Sequence, residues 1–424
     1  MNKKHFLIFN ILLALSISGC NSSNKKEPFT PKLDKETKCV ISVKGHYDNF
    51  EALDEQIIKF NSYYPKVEVR YDKVDNYTKD TTLNNLFAGD DAPDIYFVST
   101  GWENDSRYTM LFDHAEDLSN ANLGIDTTVI RDALIYKDKN GKIPMLPIFT
   151  NTYGMIVNED LLAKHHLSIP KTYNQLISVC DSLVKLGYTS PVMSYKASLY
   201  SLYFPYFLST INNNKTAIDA LNSLEASAGS YIRDALEKTN DFMSHKFIDK
   251  DKCTSEIEKD NTDSICYRFY KGDVPFIFTE VNRLSGSNKR ESKSEEYLAN
   301  PFKYSFQPVP SSDNSGYYFN TISLSFAVNK DSKNLEMTNE FMRFLIRSQS
   351  LNEMSSNKRQ ISPSKNLGDD KLFNSFKDVL KSNRVLYNST VGLSNEADTQ
   401  VRKTFDAFLN GASIDIAIAS YGSY

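Results

Sequence analysis

The chain has 424 residues, 40% hydrophobic and 24% charged, a length that suits two or three packing units at ~100–200 residues each. Its 49 Lys and Arg against 53 Asp and Glu leave a net charge of −4, and no basic run offers the footprint that nucleic acid demands, so that class of partner is excluded. The aromatic content is 26 Phe, 25 Tyr and a single Trp; tyrosine joins a flat apolar face to a hydroxyl edge, which suits amphipathic ligands.

Lys3 and Lys4 precede the apolar stretch Phe6 to Ile17, followed by Ser18, Gly19 and Cys20. The stretch is too short to span a bilayer, which needs ~20 apolar residues, and the small residues before the cysteine fit a cleavage site. Leu15-Ser16-Ile17-Ser18-Gly19-Cys20 resembles the bacterial lipobox, which implies removal of 1–19 and acylation of Cys20, the membrane anchor. Residues 21–38 are polar with two prolines and read as a flexible stalk. No later stretch reaches 18 apolar residues, so the protein is expected to be lipid-anchored on the extracellular or periplasmic side of the cell membrane. Of the remaining cysteines, Cys180 falls on the apolar face of a helix and reads as core. Cys253 and Cys266 are either bridged, which an exported compartment permits, or free thiols.

Val40 to Gly45 reads as a strand, Asn49 to Tyr64 as a helix with Phe50, Leu53, Ile57 and Phe60 on one face, and Val67 to Tyr71 as a strand. A helix over Tyr77 to Ala88 and a strand over Asp94 to Val98 continue the alternation, which predicts mostly parallel sheets covered by helices. Asn140-Gly141 signals a hairpin turn. Thr172 and Gln175 form a capping box ahead of a helix from Tyr173 to Leu186, closed by Gly187. A helical and aromatic region runs from Leu199 to Phe247, and three strands follow, in VPFIFT, YSFQPVP and TISLSFAVN.

The block NGKIPMLPIFTNTYGMIVNEDLLAKHHLSIPKTYNQLISVCDSL resembles the central block of the extracellular solute-binding proteins, the family of the maltose-binding protein. KGDVPFIFTEVNR, SLSFAVNKDSKNLEMTNEFMRFLIRSQS, ISPSK and TQVRKTFDAFLNGASIDIAIASY resemble later blocks of that family in the same order. The resemblance runs from about Ile41 to Tyr424. It implies an α/β two-lobed periplasmic-binding-protein fold of class II, with discontinuous lobes joined by a hinge and a ligand cleft between them. Lobe 1 would comprise 39–150 and 318–361, and lobe 2 would comprise 151–317 and 362–424. The crossings would fall near Phe149 to Thr152, Tyr317 to Thr321 and Ile361 to Pro363. The implied function is substrate capture for an ABC importer, most often of an oligosaccharide, by a monomer that partners permease subunits and needs neither a cofactor nor a metal.

Sugars present apolar C–H faces and a rim of hydroxyls, so candidate ligand contacts are aromatic and hydrogen-bonding residues at strand ends. These are His46, Tyr47 and Asp48 after the first strand, Trp102 and Glu103 after the third, Asn151 and Tyr153 at the first crossing, and Glu280 and Asn282 after VPFIFT. Asn282 stands where the family often carries a tryptophan; Tyr200, with Tyr195 and Tyr203, is a candidate replacement platform. No H-E-x-x-H, G-x-S-x-G, P-loop or G-x-G-x-x-G occurs, and no enzymatic activity is expected. A surface glycan hydrolase using paired carboxylates and an adhesin-like lipoprotein that kept the fold are the alternatives. Composition leaves a peptide, polyamine or chelate ligand open.

Overall fold

Apolar Ile41 and Val43 alternate with Val40, Ser42 and Lys44, and this period of two places one face of strand β1 (Cys39–Gly45) in the core. The structure is a computed structural model. It describes residues 28–77, 79–99, 106–195, 198–249, 251, 253, 262–311, 318–368, 370–382, 385–387 and 391–423. Three expectations lie outside the described residues: the signal with Cys20, Trp102, and Glu103. The fold is that of Pro31–Tyr424.

β1 pairs in parallel with β2 (Val67–Lys73) and β3 (Ile95–Ser99). The helix between β1 and β2 spans Asp54–Asn61 and is shorter than its apolar spacing predicts. Phe50 and Leu53 are buried all the same, because turns rather than helix carry them in, with Leu53 N donating to Phe50 O at 3.0 Å. The predicted capping box is present with a shift. Thr172 Oγ1 accepts from Gln175 N, while the Gln175 side chain reaches back to Lys171 N rather than to Thr172 N. The helix it opens spans Tyr173–Lys185. Asn140-Gly141 closes a turn in which Asp138 N donates to Lys142 O, with Gly141 at φ +81°, but no strand ladder flanks it.

Beyond β3 the sheet departs from the mostly parallel expectation. Two long strands, β4 (Leu146–Asn158) and β7 (Tyr318–Val328), run antiparallel to each other, and with β5 (Phe276–Glu280) the order is β2-β1-β3-β7-β4-β5. β5 and β6 (Tyr304–Gln307) both pair antiparallel with β4, and β8 (Val385–Leu386) pairs in parallel with β7. Helix–strand alternation reveals which segments are strands; direction depends on which partner each long strand meets.

β4 changes partners along its length. Leu146 to Thr152 pair with β7, across an irregularity at Pro147 to Thr150, and Tyr153 to Asn158 pair with β5 and β6. In its second half both faces are buried. Tyr153, Met155 and Val157 enter one core cluster with Leu176, Cys180, Phe204 and Phe405, while Ile156 enters another with Ile277, Phe306 and Phe376. Alternating side chains thus hold helices on both sides, and this explains why the segment reads as a nearly continuous apolar run. The two clusters also settle the cysteines. Cys253 lies in the first and Cys266 in the second, and no disulfide joins them.

Gly154 of β4 leaves no room for a side chain. A Cβ there would lie 2.6 Å from the Phe306 ring and 2.7 Å from the Gln307 carbonyl oxygen. Gly154→Ala is expected to lower stability by about 2 kcal/mol through overpacking, measured as a loss in urea midpoint at unchanged slope; an unchanged midpoint would show that β6 moves freely away from β4.

Candidate functional site

Three chain segments lie side by side where β4 changes partners. Thr150 N and Oγ1 both donate to Ile361 O, at 3.1 and 2.8 Å. From β7, Asn320 Nδ2 donates to Thr150 Oγ1 and to Asn151 O, each at 3.1 Å. Arg131 joins the same knot from outside the sheet. Its Nη1 donates to Ser362 O at 2.8 Å and Ser364 O at 2.9 Å, and its Nη2 to Asn320 Oδ1 at 3.0 Å. Arg131 is 7% exposed, and no carboxylate pairs with it among the described residues. Burial pulls its pKa down to about 10, opposed by Tyr387, so it stays charged at neutral pH and is solvated by neutral oxygens alone.

A cavity of about 560 Å³ opens over this knot, within the 300–1,000 Å³ range of small-molecule sites. Its lining brings together Asn151, Tyr153 and Glu280 of the predicted contacts with Asn320, Asp398 and Arg402. Tyr153 and Glu280 face each other in the β4–β5 register. Asn151 Nδ2 donates to Glu280 Oε2 at 2.8 Å, and Asn151 Oδ1 accepts from the backbone N of Asn282 at 3.4 Å. The Asn282 side chain turns to Ser323, whose hydroxyl donates to it at 3.2 Å. From the helix Asn395–Leu409, Arg402 Nε donates to Asp398 at 2.8 Å and Nη1 to the Tyr153 hydroxyl at 3.1 Å. Burial raises the Tyr153 pKa, with a further push from the Glu280 charge, so the hydroxyl remains protonated. Burial would lower that of Arg402, but Tyr153 and Asp398 outweigh it and hold the cation above its ordinary value.

Other candidates lie elsewhere. The His46 ring sits among Tyr47, Tyr77 and Phe97, and burial lowers its pKa. Tyr47 stacks on Phe50 with Lys358 over its face, and Asp48 pairs with Lys73, whose hydrogen bond and charge depress its pKa. None of these three lines the cavity. Tyr200 is off the lining too, because its hydroxyl donates to Asp406 at 2.6 Å and its ring packs on Phe405. Tyr195 and Tyr203 are core residues, 3% and 0% exposed. Tyr153 itself is mostly core, its ring against Phe204, with the hydroxyl edge alone committed to Arg402. Arg402, Asp398, Asn320 and Arg131 were not read from the sequence. The first two are an i, i+4 pair on an amphipathic helix, a pattern shared with ordinary surface ion pairs. Asn320 did carry a signal, a polar residue at the head of an apolar strand.

Residues 45–350 match the family model of the bacterial extracellular solute-binding proteins, and the chain belongs to that family. No curated protein matches it in sequence. Among solved structures it is similar to apo RafE from Streptococcus pneumoniae, at 14% identity and a TM-score of 0.68 over 93% of this chain and 98% of that one. The GacH receptor of Streptomyces glaucescens, determined unliganded and with acarbose, is 15% identical with a TM-score of 0.66 over 92% and 97% of the two chains. The sugar-binding protein MalE from Xanthomonas citri gives 16% and 0.66 over 91% and 96%. The fold is therefore the two-lobed class II periplasmic-binding fold, with discontinuous lobes, a hinge and a cleft. Family and fold are those of binding proteins rather than enzymes.

Arg131→Met would leave the Ser362 and Ser364 carbonyls and Asn320 Oδ1 without their donor. The expected cost is about 3 kcal/mol, since buried acceptors lose their partners, read as a lower midpoint in urea unfolding. Wild-type stability in this variant would show that the knot is dispensable.

Proposed function

We infer that this protein captures an oligosaccharide in the cavity over the crossing strands and closes by a hinge motion around it. The observation that carries the reading is the lining itself. Asn151, Asn320, Glu280, Asp398 and Arg402 supply donors and acceptors beside the hydroxyl edge of Tyr153, the mixture that a polyhydroxylated ligand requires. RafE has been solved with raffinose and T. maritima MalE3 with maltose. Lobe 1 is 39–150 with 318–361 and lobe 2 is 151–317 with 362–424 in this reading, so that the Arg131–Asn320 knot lies at the hinge. Periplasmic binding proteins as a class close their two domains around ligand by such a motion, and ligand contacts made only in the closed form set the population shift.

The lipobox-like Leu15 to Cys20 supports removal of 1–19, acylation at Cys20 and tethering to the outer side of the cell membrane through the 20–38 stalk. Among the described residues no helix is long and apolar enough to cross a membrane. Membership of the family supports passage of the ligand to ABC permease subunits by a monomer.

The test is thermal unfolding with raffinose, maltose and longer neutral oligosaccharides, with peptides and polyamines as controls. Ligand at ~100 Kd stabilises the native state by about 2.7 kcal/mol, a rise of a few degrees. Asn151→Ala removes one cavity hydrogen-bonding group and frees Glu280, and is expected to weaken binding by about 1 kcal/mol. Silence with every sugar, or a response to peptides or polyamines alone, overturns the reading.

A further inference from the structure

Three of the residues lining the cavity carry charge: Glu280, Asp398 and Arg402. Arg402 and Asp398 neutralise each other at 2.8 Å, and a second Arg402 nitrogen is engaged by the Tyr153 hydroxyl. Arg131, the nearby buried cation, is not part of the lining; its Nη1 and Nη2 donate to Ser362, Ser364 and Asn320, Tyr387 is a further partner, and its Nε is buried without one among the described residues. Glu280 is different. Its Oε2 accepts from Asn151 at 2.8 Å, and among the described residues no Lys, Arg or His pairs with it and its other oxygen accepts no hydrogen bond. It is half-buried at the end of β5, opposite Tyr153 in the ladder. Among the described residues the cavity therefore presents a net charge of one carboxylate to its ligand, held in place by an asparagine fixed in its turn by the Asn282 backbone.

A carboxylate in this position only accepts hydrogen bonds. Hydroxyl and amine donors on the ligand satisfy it, whereas a ligand carboxylate or sulfate brings like charge into a site from which closure expels water, where repulsion is strongest. We propose that Glu280 is a charge filter that admits neutral sugars and rejects uronic and sulfated ones. The proposal rests on the sugar reading above and names the class of sugar within it. Asn151 acts as the positioning residue, because it fixes the carboxylate rather than recognising a charge itself.

The experiment measures dissociation constants by calorimetry on the full chain in detergent, using two matched pairs: raffinose with its C6 uronate, and maltotriose with its C6 uronate. The uronate of each pair is expected to bind at least about tenfold more weakly, with the gap narrowing at high salt. In Glu280→Gln the ratio of uronate to neutral dissociation constants is expected to fall about tenfold, whatever the change for the neutral sugar. The wild-type ratio stands as a test even if the variant does not fold. Equal or tighter binding of the uronates, with the neutral sugars bound, overturns the filter and leaves the sugar reading intact; such a result assigns charge preference to the remaining donors of Arg402. An unchanged ratio in Glu280→Gln overturns the role of this residue. If neither neutral sugar binds, both the filter and the sugar reading fall.

Discussion

The structure depends on a buried cation that has no counter-ion among the described residues. Arg131 enters from a segment outside the sheet and solvates its charge with carbonyls of Ser362 and Ser364 and the side chain of Asn320. Isolated buried charge is among the costliest groups to accommodate, so its oxygens must all be held in place at once. Asn320 in turn holds Thr150 and the Asn151 carbonyl, and Thr150 holds Ile361. One guanidinium therefore fixes three chain segments that are distant in sequence. A planar fork of donors suits this work better than a lysine point charge, because several acceptors lie in different directions around it.

The cavity inherits its geometry from that knot. Asn151 is one residue from Thr150, and its side chain orients Glu280 across the β4–β5 ladder. Tyr153 follows two residues later and reaches Arg402 on the helix Asn395–Leu409. The polar lining is thus made of strand residues whose backbone is fixed beneath and a helix whose apolar face is anchored in the core by Phe405 and Val401. Rigid support of this kind keeps binding groups pre-arranged, which limits the ordering cost of capturing a flexible ligand. Two-lobed binding proteins as a class combine such support with freedom to hinge.

Not every strand end leads to the cavity. His46 to Asp48 do follow β1, yet Tyr47 is occupied by Phe50 and Lys358 and Asp48 by Lys73. The carboxyl end of a strand is a good place to look for a ligand, but neighbouring side chains can fill it first. Tyr200, Tyr195 and Tyr203 illustrate the same ambiguity on helices, because tyrosine at core spacing and tyrosine at a sugar platform are one pattern in the sequence. Asn151, Tyr153 and Glu280 were named from their places at the first crossing and after VPFIFT in the family resemblance, and the structure brings these three to one cavity.

Local pattern alone determined several elements of this protein: Ile41 and Val43 mark β1 by period two, and Thr172 with Gln175 marks a helix start. Those signals act between residues that are close in the chain, so they survive without knowledge of partners. Tertiary structure decided which way the strands pair, that Cys253 and Cys266 stay apart, and that Asn320, held by Arg131, converges with Asp398 and Arg402 on one cavity. Each of those outcomes joins residues far apart in sequence, and no local period or propensity encodes the distance between them.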